Sequence, residues 1–265
     1  MKEKGCSISV VTRDYKELNL VTKPIAASVK EAEKLIEVAE GRGKILMVEH
    51  AFVYTGAVRK IKEIIEEKQF GEIYYFDSVR VNLGLFQHDI NVIWDLAPHD
   101  ISIKDYVIEN RPISVSATGL SHFSNGFEDM AYVTVYFEDS MVAHFHVNWL
   151  APVKVRRILI GGSARMLVYD DMEPSEKINI YDKGVTIKNG DKNIIYETLV
   201  QYRIGDMWAP KIDRTEALKA ECEHFVDCIQ NNKKPITDGQ SGLRVVEILE
   251  AAEKSIKNDG IKVWL

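Results

Sequence analysis

The chain has 265 residues, 46% hydrophobic and 28% charged, with 16 Gly and 7 Pro, a globular profile that excludes disordered, collagen-like and low-complexity classes. Its net charge of −6 lacks the basic excess of a nucleic-acid binder. No apolar run approaches the ~20 residues of a membrane span. Three cysteines, Cys6, Cys222 and Cys228, are too few and odd in number for a disulfide framework. The apolar stretch around Ile8–Val11 is too short for a signal-peptide core, so a reducing cytoplasm is the expected compartment.

The first readable unit is strand–helix–strand. Leu18–Val21 reads as a strand. Ser28 to Arg42 reads as a helix, with Ser28 and Glu31 spaced as a capping box and Ala32, Leu35, Ile36 and Ala39 at helical intervals. Lys44–Val48 reads as a second, buried strand, which predicts a parallel pair. A further helix is expected over Thr55–Lys68.

After Gly71 the sequence turns β-rich. Short runs at Ile73–Val81, Ile113–Ser121, Ala131–Phe137, Met141–Trp149, Val153–Ile160, Met166–Tyr169, Ile178–Tyr181 and Ile194–Leu199 are separated by turn signals. Their density predicts a large, mostly antiparallel sheet. One helix, Trp94 to Asn110, interrupts it. Helices over Arg214–Gln230 and Gly239–Asn258 and a strand at Ile261–Leu265 close the chain. The expected fold is therefore α/β, with a parallel strand–helix–strand unit followed by an α+β domain built on an open sheet.

Several familiar devices do not occur. The sequence has no G-x-G-x-x-G, Walker lysine motif, H-E-x-x-H, paired C-x-x-C or G-x-S-x-G. Gly41 and Gly43 end a helix instead of opening one. Gly161-Gly162 joins two strands and reads as a turn.

Two constellations carry chemistry. Asp95 and His99, four apart on a helix, share a face. A carboxylate beside an imidazole favours the charged ring and fixes its orientation, which suits proton exchange with a substrate hydroxyl. Equally, Asp95 would cap the helix and His99 be a satisfied core histidine. Pro98 is tolerated if it lies in the first turn. A third possibility is a metal held by His88, Asp89, Asp95 and His99, although no ligand spacing supports it. The second constellation is Thr22-Lys23-Pro24 at the carboxyl end of a parallel strand, where open α/β sheets bind ligands. Lys23 would serve a reacting hydroxyl, its pKa readily lowered by burial. Pro24 restricts the backbone and can take the cis form. The alternative is a surface lysine before a helix.

Taken in order, Lys23-Pro24, Leu46-Met47-Val48-Glu49-His50, Trp94-Asp95-Leu96-Ala97-Pro98-His99-Asp100, Asn148 through Arg156, Tyr169-Asp170-Asp171 and Glu221-Cys222-Glu223-His224-Phe225 resemble the Gfo/Idh/MocA oxidoreductases. The resemblance is to the nucleotide-sugar branch, such as UDP-N-acetylglucosamine 3-dehydrogenases, and covers about residues 18–265. It implies hydride transfer between a sugar carbon and NAD or NADP. Lys23, Asp95 and His99 would be the catalytic set, and Lys23 and Pro24 would lie beside the cofactor. It also implies a Rossmann domain plus an α/β domain whose open sheet forms a homo-oligomer interface. Thr22 stands where the family has Glu. Residues 1–50 correspond to the last strand–helix–strand of the Rossmann domain, and 51–265 to the substrate and oligomerisation domain. The earlier Rossmann strands and their glycine fingerprint are not represented in the sequence.

Arg80 and Asn82 at a strand end, Asn91 before the motif helix, Asn148, and Lys154 with Arg156 are candidate substrate contacts. The last two are two apart on a strand and so face one way, as a diphosphate would require; a solvated strand face is the alternative. His144 and His146 also share a face and are expected to pack across strands. Three readings follow. The first is a sugar or nucleotide-sugar oxidoreductase with NAD(P), possessing a deficient cofactor site. The second is a non-catalytic sugar-nucleotide-binding or oligomerisation module. The third is a metal-dependent sugar isomerase or lyase on Asp95 and His99. Neither nucleic acid nor membrane is an expected partner.

Overall fold

The computed structural model describes residues 18–84, 89–123, 126–187 and 200–265. The first unit is β1 (Leu18–Thr22), α1 (Val29–Gly41) and β2 (Ile45–Glu49). β1 and β2 pair in parallel, with Thr22 opposite Glu49 at their carboxyl ends. Ser28 caps α1 by accepting from the Glu31 N–H, while the Glu31 carboxylate accepts from the Ala27 N–H. This is a capping box displaced by one residue. Ala32, Ile36 and Ala39 form the buried stripe of α1.

A 3₁₀ turn, Ala51–Tyr54, leads into α2 (Gly56–Glu66), which Thr55 caps. Then come β3 (Ile73–Leu83), α3 (Val92–Val107), β4 (Pro112–Leu120), β5 (Met130–Phe137), β6 (Val142–Asn148), β7 (Leu150–Gly162), β8 (Met166–Asp170) and β9 (Ile178–Tyr181). β10 (Gly184–Ile187) and β11 (Val200–Arg203) form a separate hairpin ladder. β12 (Met207–Trp208), α4 (Ala217–Gln230), α5 (Gly239–Ile256) and β13 (Val263–Trp264) complete the chain. The strand expected at Ile194–Leu199 lies outside the described residues.

The main sheet has nine strands in the order β12-β9-β8-β7-β3-β6-β5-β4-β13. Every pairing is antiparallel except β3 with β6. The expected sheet is therefore present, with one parallel pair at its centre. Alternation divides its two faces. Phe76, Ser78 and Arg80 of β3 are buried on the side that packs against α3. Ala143, Phe145 and Val147 lie opposite them in register on β6 and share that side. His144, His146 and Asn148 face the other, open side, where the Tyr132 ring stacks on His146 at 4.4 Å and on His144 at 5.9 Å. The expected packing role of that histidine pair holds.

α5 ties the two sheets together. It contacts α1 and β2 on one flank and α3 and β4 on another. Gly242 lets it approach closely, since a Cβ there would meet Val48 Cγ2 at 2.8 Å and Ile25 at 3.2 Å. One continuous apolar cluster runs from Val21, Ile36 and Val48 through Ile101 to Val133 and Ile160. Among the described residues, no helix is long and apolar enough to cross a membrane.

Candidate active site

The carboxyl ends of β1 and β2 point toward the first turns of α3. Asn91 starts that helix: its side-chain oxygen accepts from the Ile93 and Trp94 N–H groups, each at 3.2 Å. The helix therefore begins at Val92, earlier than the expected Trp94, and Asn91 rather than Asp95 is the cap. Pro98 consequently sits in the second turn instead of the first, where its missing N–H leaves the Trp94 carbonyl without its intrahelical donor.

Lys23 follows β1 directly, and its bond to Pro24 is cis. Its Nζ donates to the Asp95 main-chain oxygen at 2.5 Å and lies 3.5 Å from the Asp95 carboxylate. Burial lowers the Lys23 pKa, opposed by the Asp95 carboxylate. The indole N–H of Trp149 donates to the other Asp95 oxygen at 3.0 Å. Asp95 thus bridges the parallel unit and the large sheet.

His99 is not paired with Asp95. Its ring packs edge-on against Phe52, with centroids 5.0 Å apart, and its Nδ1 is buried without a hydrogen-bond partner among the described residues. Burial, then the charges of Lys23 and Arg80, push its pKa well below the ordinary histidine value. The expected charged imidazolium is corrected to a neutral ring. Burial is the larger cause, and the Lys23 and Arg80 charges add to it, while the Asp95 carboxylate is engaged by Lys23 and Trp149.

Arg80 is not free to meet a substrate. It is buried and forms a two-point ion pair with Asp100, Nη2 to Oδ1 at 2.6 Å and Nε to Oδ2 at 3.0 Å. Ser78 donates to the same carboxylate at 2.6 Å. The Arg80 guanidinium also covers the Phe52 ring at 4.4 Å, and Arg156 lies 5.2 Å from that ring. Arg156 is directly opposite Arg80 in the β3–β7 register, half-buried, and donates to Asp171 at 3.2 Å. Of the candidate substrate contacts, Arg156 is the one brought to the Lys23–His99 region with a partly exposed head.

The remaining candidates separate. Asn91 is consumed by its cap and by donation to Glu128 at 2.8 Å. Asn148 lies on the open face, away from Arg80, and its side-chain oxygen accepts from the Leu150 N–H at 2.5 Å. Asn82 is half-buried beyond Arg80, and Lys154 is exposed at the rim. Lys154 and Arg156 share a face, but a register irregularity in β7 beyond Val155 carries Lys154 outward. For the metal reading, His88 lies outside the described residues. Among the described residues, no group of three or more His, Cys, Asp or Glu is arranged to hold a metal.

Two site residues carry no assignment from the sequence. His50, just past β2, is 2% exposed, and neither ring nitrogen has a partner among the described residues. Burial and the Lys23 charge push its pKa down to about 3. Glu221 of α4 is 1% exposed, with Oε1 unpartnered; burial and the nearby Glu49 carboxylate raise its pKa to about 8. Buried polar atoms are ordinarily paired. Four of the six unpaired ones among the described residues belong to His50, His99 and Glu221. Both lie in segments that carry the family resemblance, Leu46–His50 and Glu221–Phe225, which give neither of them a role.

Fold and site together define an α/β chain whose candidate centre lies where parallel strand ends meet the first turns of a helix. Residues 58–168 match the family model of the GFO/IDH/MocA C-terminal domain. The chain is 25% identical over 230 residues to UDP-N-acetylglucosamine 3-dehydrogenase of Acidithiobacillus ferrooxidans, covering 86% of this chain and 67% of that protein. It is 22% identical to scyllo-inositol 2-dehydrogenase (NAD(+)) of Bacillus subtilis, over 92% of this chain and 70% of that one. The solved structure of the Acidithiobacillus enzyme superposes with a TM-score of 0.73 at 23% identity, covering 90% of this chain and 71% of that chain. The chain thus spans about two thirds of the length of these relatives.

Proposed function

We propose that the chain supplies the substrate-binding and proton-handling part of an NAD(P)-dependent oxidoreductase acting on a sugar or nucleotide sugar. The observation that supports this reading is the gathering of Lys23 with the unpartnered nitrogens of His50 and His99 at the carboxyl ends of β1 and β2. The partly exposed heads of Lys23 and Arg156 suit a polar or anionic ligand. The residues fit the reacting end of a nicotinamide dinucleotide, with Lys23 and Pro24 beside it. The sequence contains no G-x-G-x-x-G for its diphosphate. When bound, the nicotinamide supplies the hydride acceptor or donor.

The chain's own residues do the rest. His99, neutral, accepts the proton of the substrate hydroxyl at an imidazole nitrogen. Lys23, held by Asp95, hydrogen-bonds the same oxygen. Arg156, over the Phe52 ring, meets an anionic part of the substrate such as a diphosphate. Asp100 keeps Arg80 in place and so fixes Phe52 against His99. The open face of the nine-stranded sheet, carrying the exposed Tyr132 and Trp264, serves self-association in the cytoplasm.

Calorimetric titration with UDP-N-acetylglucosamine and with NADH tests the reading. The expected result is micromolar binding of the sugar nucleotide, weakened at least tenfold in Lys23→Met and Arg156→Ala. Absence of binding to either compound overturns it. Sugar-nucleotide binding without NADH binding favours the non-catalytic module instead. Light scattering tests the association, with a multimer expected at micromolar concentration.

A further inference from the structure

A group of charges extends outward from Phe52 along one end of the large sheet. Arg156 alternates onto the same face of β7 as the buried Ile158 and Ile160. Its guanidinium is 5.2 Å from the Phe52 ring, which meets the His99 ring with centroids 5.0 Å apart. The Arg156 carbonyl accepts from the Asp171 N–H at 2.9 Å, and its Nη1 donates to the Asp171 carboxylate at 3.2 Å. Asp171 is thus fixed to Arg156 through both main chain and side chain. The other carboxylate oxygen accepts from the buried Tyr169 hydroxyl at 3.1 Å and from Lys177 Nζ at 3.2 Å. Lys177 Nζ also donates to the Asp171 main-chain oxygen. Lys177 is set by the β8–β9 hairpin, where its carbonyl accepts from the Asp170 N–H at 2.8 Å. Three donors share one carboxylate, so Arg156, Asp171 and Lys177 together keep a net positive charge. The Arg156 and Lys177 side chains remain 30% and 26% exposed. Each has N–H donors beyond those it gives to Asp171.

We propose that Arg156 and Lys177, joined through Asp171, form a two-cation subsite for the diphosphate of a nucleoside diphosphate sugar. Arg156, in contact with Phe52, takes the phosphate attached to the sugar, and Lys177 takes the outer one. Charge-assisted hydrogen bonds of this kind are among the strongest that side chains make. Lys177, not Lys154, is then the second cation, since the irregularity in β7 carries Lys154 outward. Asp171 is a positioning residue that holds both cations toward one anion. The inference rests on the reading of Arg156 as the contact to an anionic part of the substrate, and it selects a diphosphate over a plain sugar. A purely structural ion-pair group would show the same contacts, and ligand binding separates the two.

Calorimetric titration of the full chain with UDP-N-acetylglucosamine and with N-acetylglucosamine 1-phosphate, which lacks the outer phosphate, tests it. Lys177→Met is expected to weaken the diphosphate compound about tenfold and the monophosphate less than about threefold, as loss of one charge-assisted hydrogen bond does. Lys177→Arg, which keeps the charge, and Lys154→Met are each expected to stay within about threefold of wild type for both compounds. Unchanged binding of the diphosphate compound in Lys177→Met, or equal weakening of the two compounds, overturns the subsite alone. Wild-type protein that binds neither compound, or unchanged affinity in Arg156→Ala, instead removes the reading beneath it.

Discussion

Lys23 and Asp95 are joined twice, through the Asp95 main-chain oxygen at 2.5 Å and through its carboxylate at 3.5 Å. The carboxylate contact depends on the side chain and the main-chain contact does not, so they are separable by mutation. In Asp95→Asn the main-chain bond persists and the negative charge is lost. That charge opposes the lowering of the Lys23 pKa by burial. Removing it therefore lowers the pKa further. The midpoint of Lys23 modification by an amine-selective reagent, followed by mass spectrometry against pH, is expected to move to lower pH. An unchanged or higher midpoint contradicts the assignment.

The Arg80–Asp100 pair is buried on both sides, with side chains 4% and 3% exposed. Removing one partner of such a pair leaves an uncompensated buried charge, at a cost of about 3–5 kcal/mol. Asp100→Asn is expected to lose stability on that scale in urea unfolding. Asp170→Asn, which loosens the more exposed Arg157 pair, is expected to lose less than ~1 kcal/mol. Similar losses in the two variants contradict the distinction.

Glu221 makes stability depend on pH in a direction opposite to most carboxylates. Its pKa is about 8 in the folded chain against an ordinary 4.5. The folded state thus holds a proton that the unfolded chain has released. The contribution is fully present below about 4.5 and is lost as pH rises through about 8. Glu221→Gln removes this loss. Each tenfold change in proton affinity is worth about 1.4 kcal/mol, so the variant should exceed wild type by on the order of 5 kcal/mol at alkaline pH and match it in acid. Thermal unfolding across that range measures the difference, and parallel curves for the two proteins refute it.

Asn91 joins the start of α3 to the β4–β5 connection through Glu128. Asn91→Ala is expected to cost about 1–2 kcal/mol, as loss of a helix cap does. Asn91→Asp, which retains the cap acceptor but faces Glu128 with like charge, should recover only part of it. Chemical denaturation of the three proteins gives the order.

The elements are legible because their periods are plain. The α1 capping box, the parallel β1–β2 pair and the short strands from Ile73 to Tyr181 each appear near their expected bounds. The start of α3 differs from expectation because Asn91 carries two signals at once, a cap residue and a polar side chain next to a reactive motif. Arg80 reads as a ligand contact because its partner Asp100 is distant along the chain and meets it only when α3 lies on the sheet. His50 and Glu221 stand in motif segments but take no role from the sequence for the same reason. Their chemistry arises from being enclosed, and no spacing in the sequence encodes enclosure. Lys23 and His99 are found through local position, but the neutrality of His99 depends first on its burial and then on the charges of Lys23, Arg80 and Arg156, which come from separate elements.

The placement of β3 has a consequence for how the chain is made. β3 ends at Leu83, and its two neighbours in the sheet, β6 and β7, end at Asn148 and Gly162. The central strand is therefore synthesised before either neighbour exists. At ~5–20 residues per second, ribosomes leave it without partners for several seconds. During that interval Phe76 and its flanking residues are open to association with other nascent chains. Sheets of high sequence separation also fold slowly, because long loops must close before their strands can pair. Yield in cells should then respond to chaperone supply and growth temperature more strongly than the stability of the finished protein would suggest.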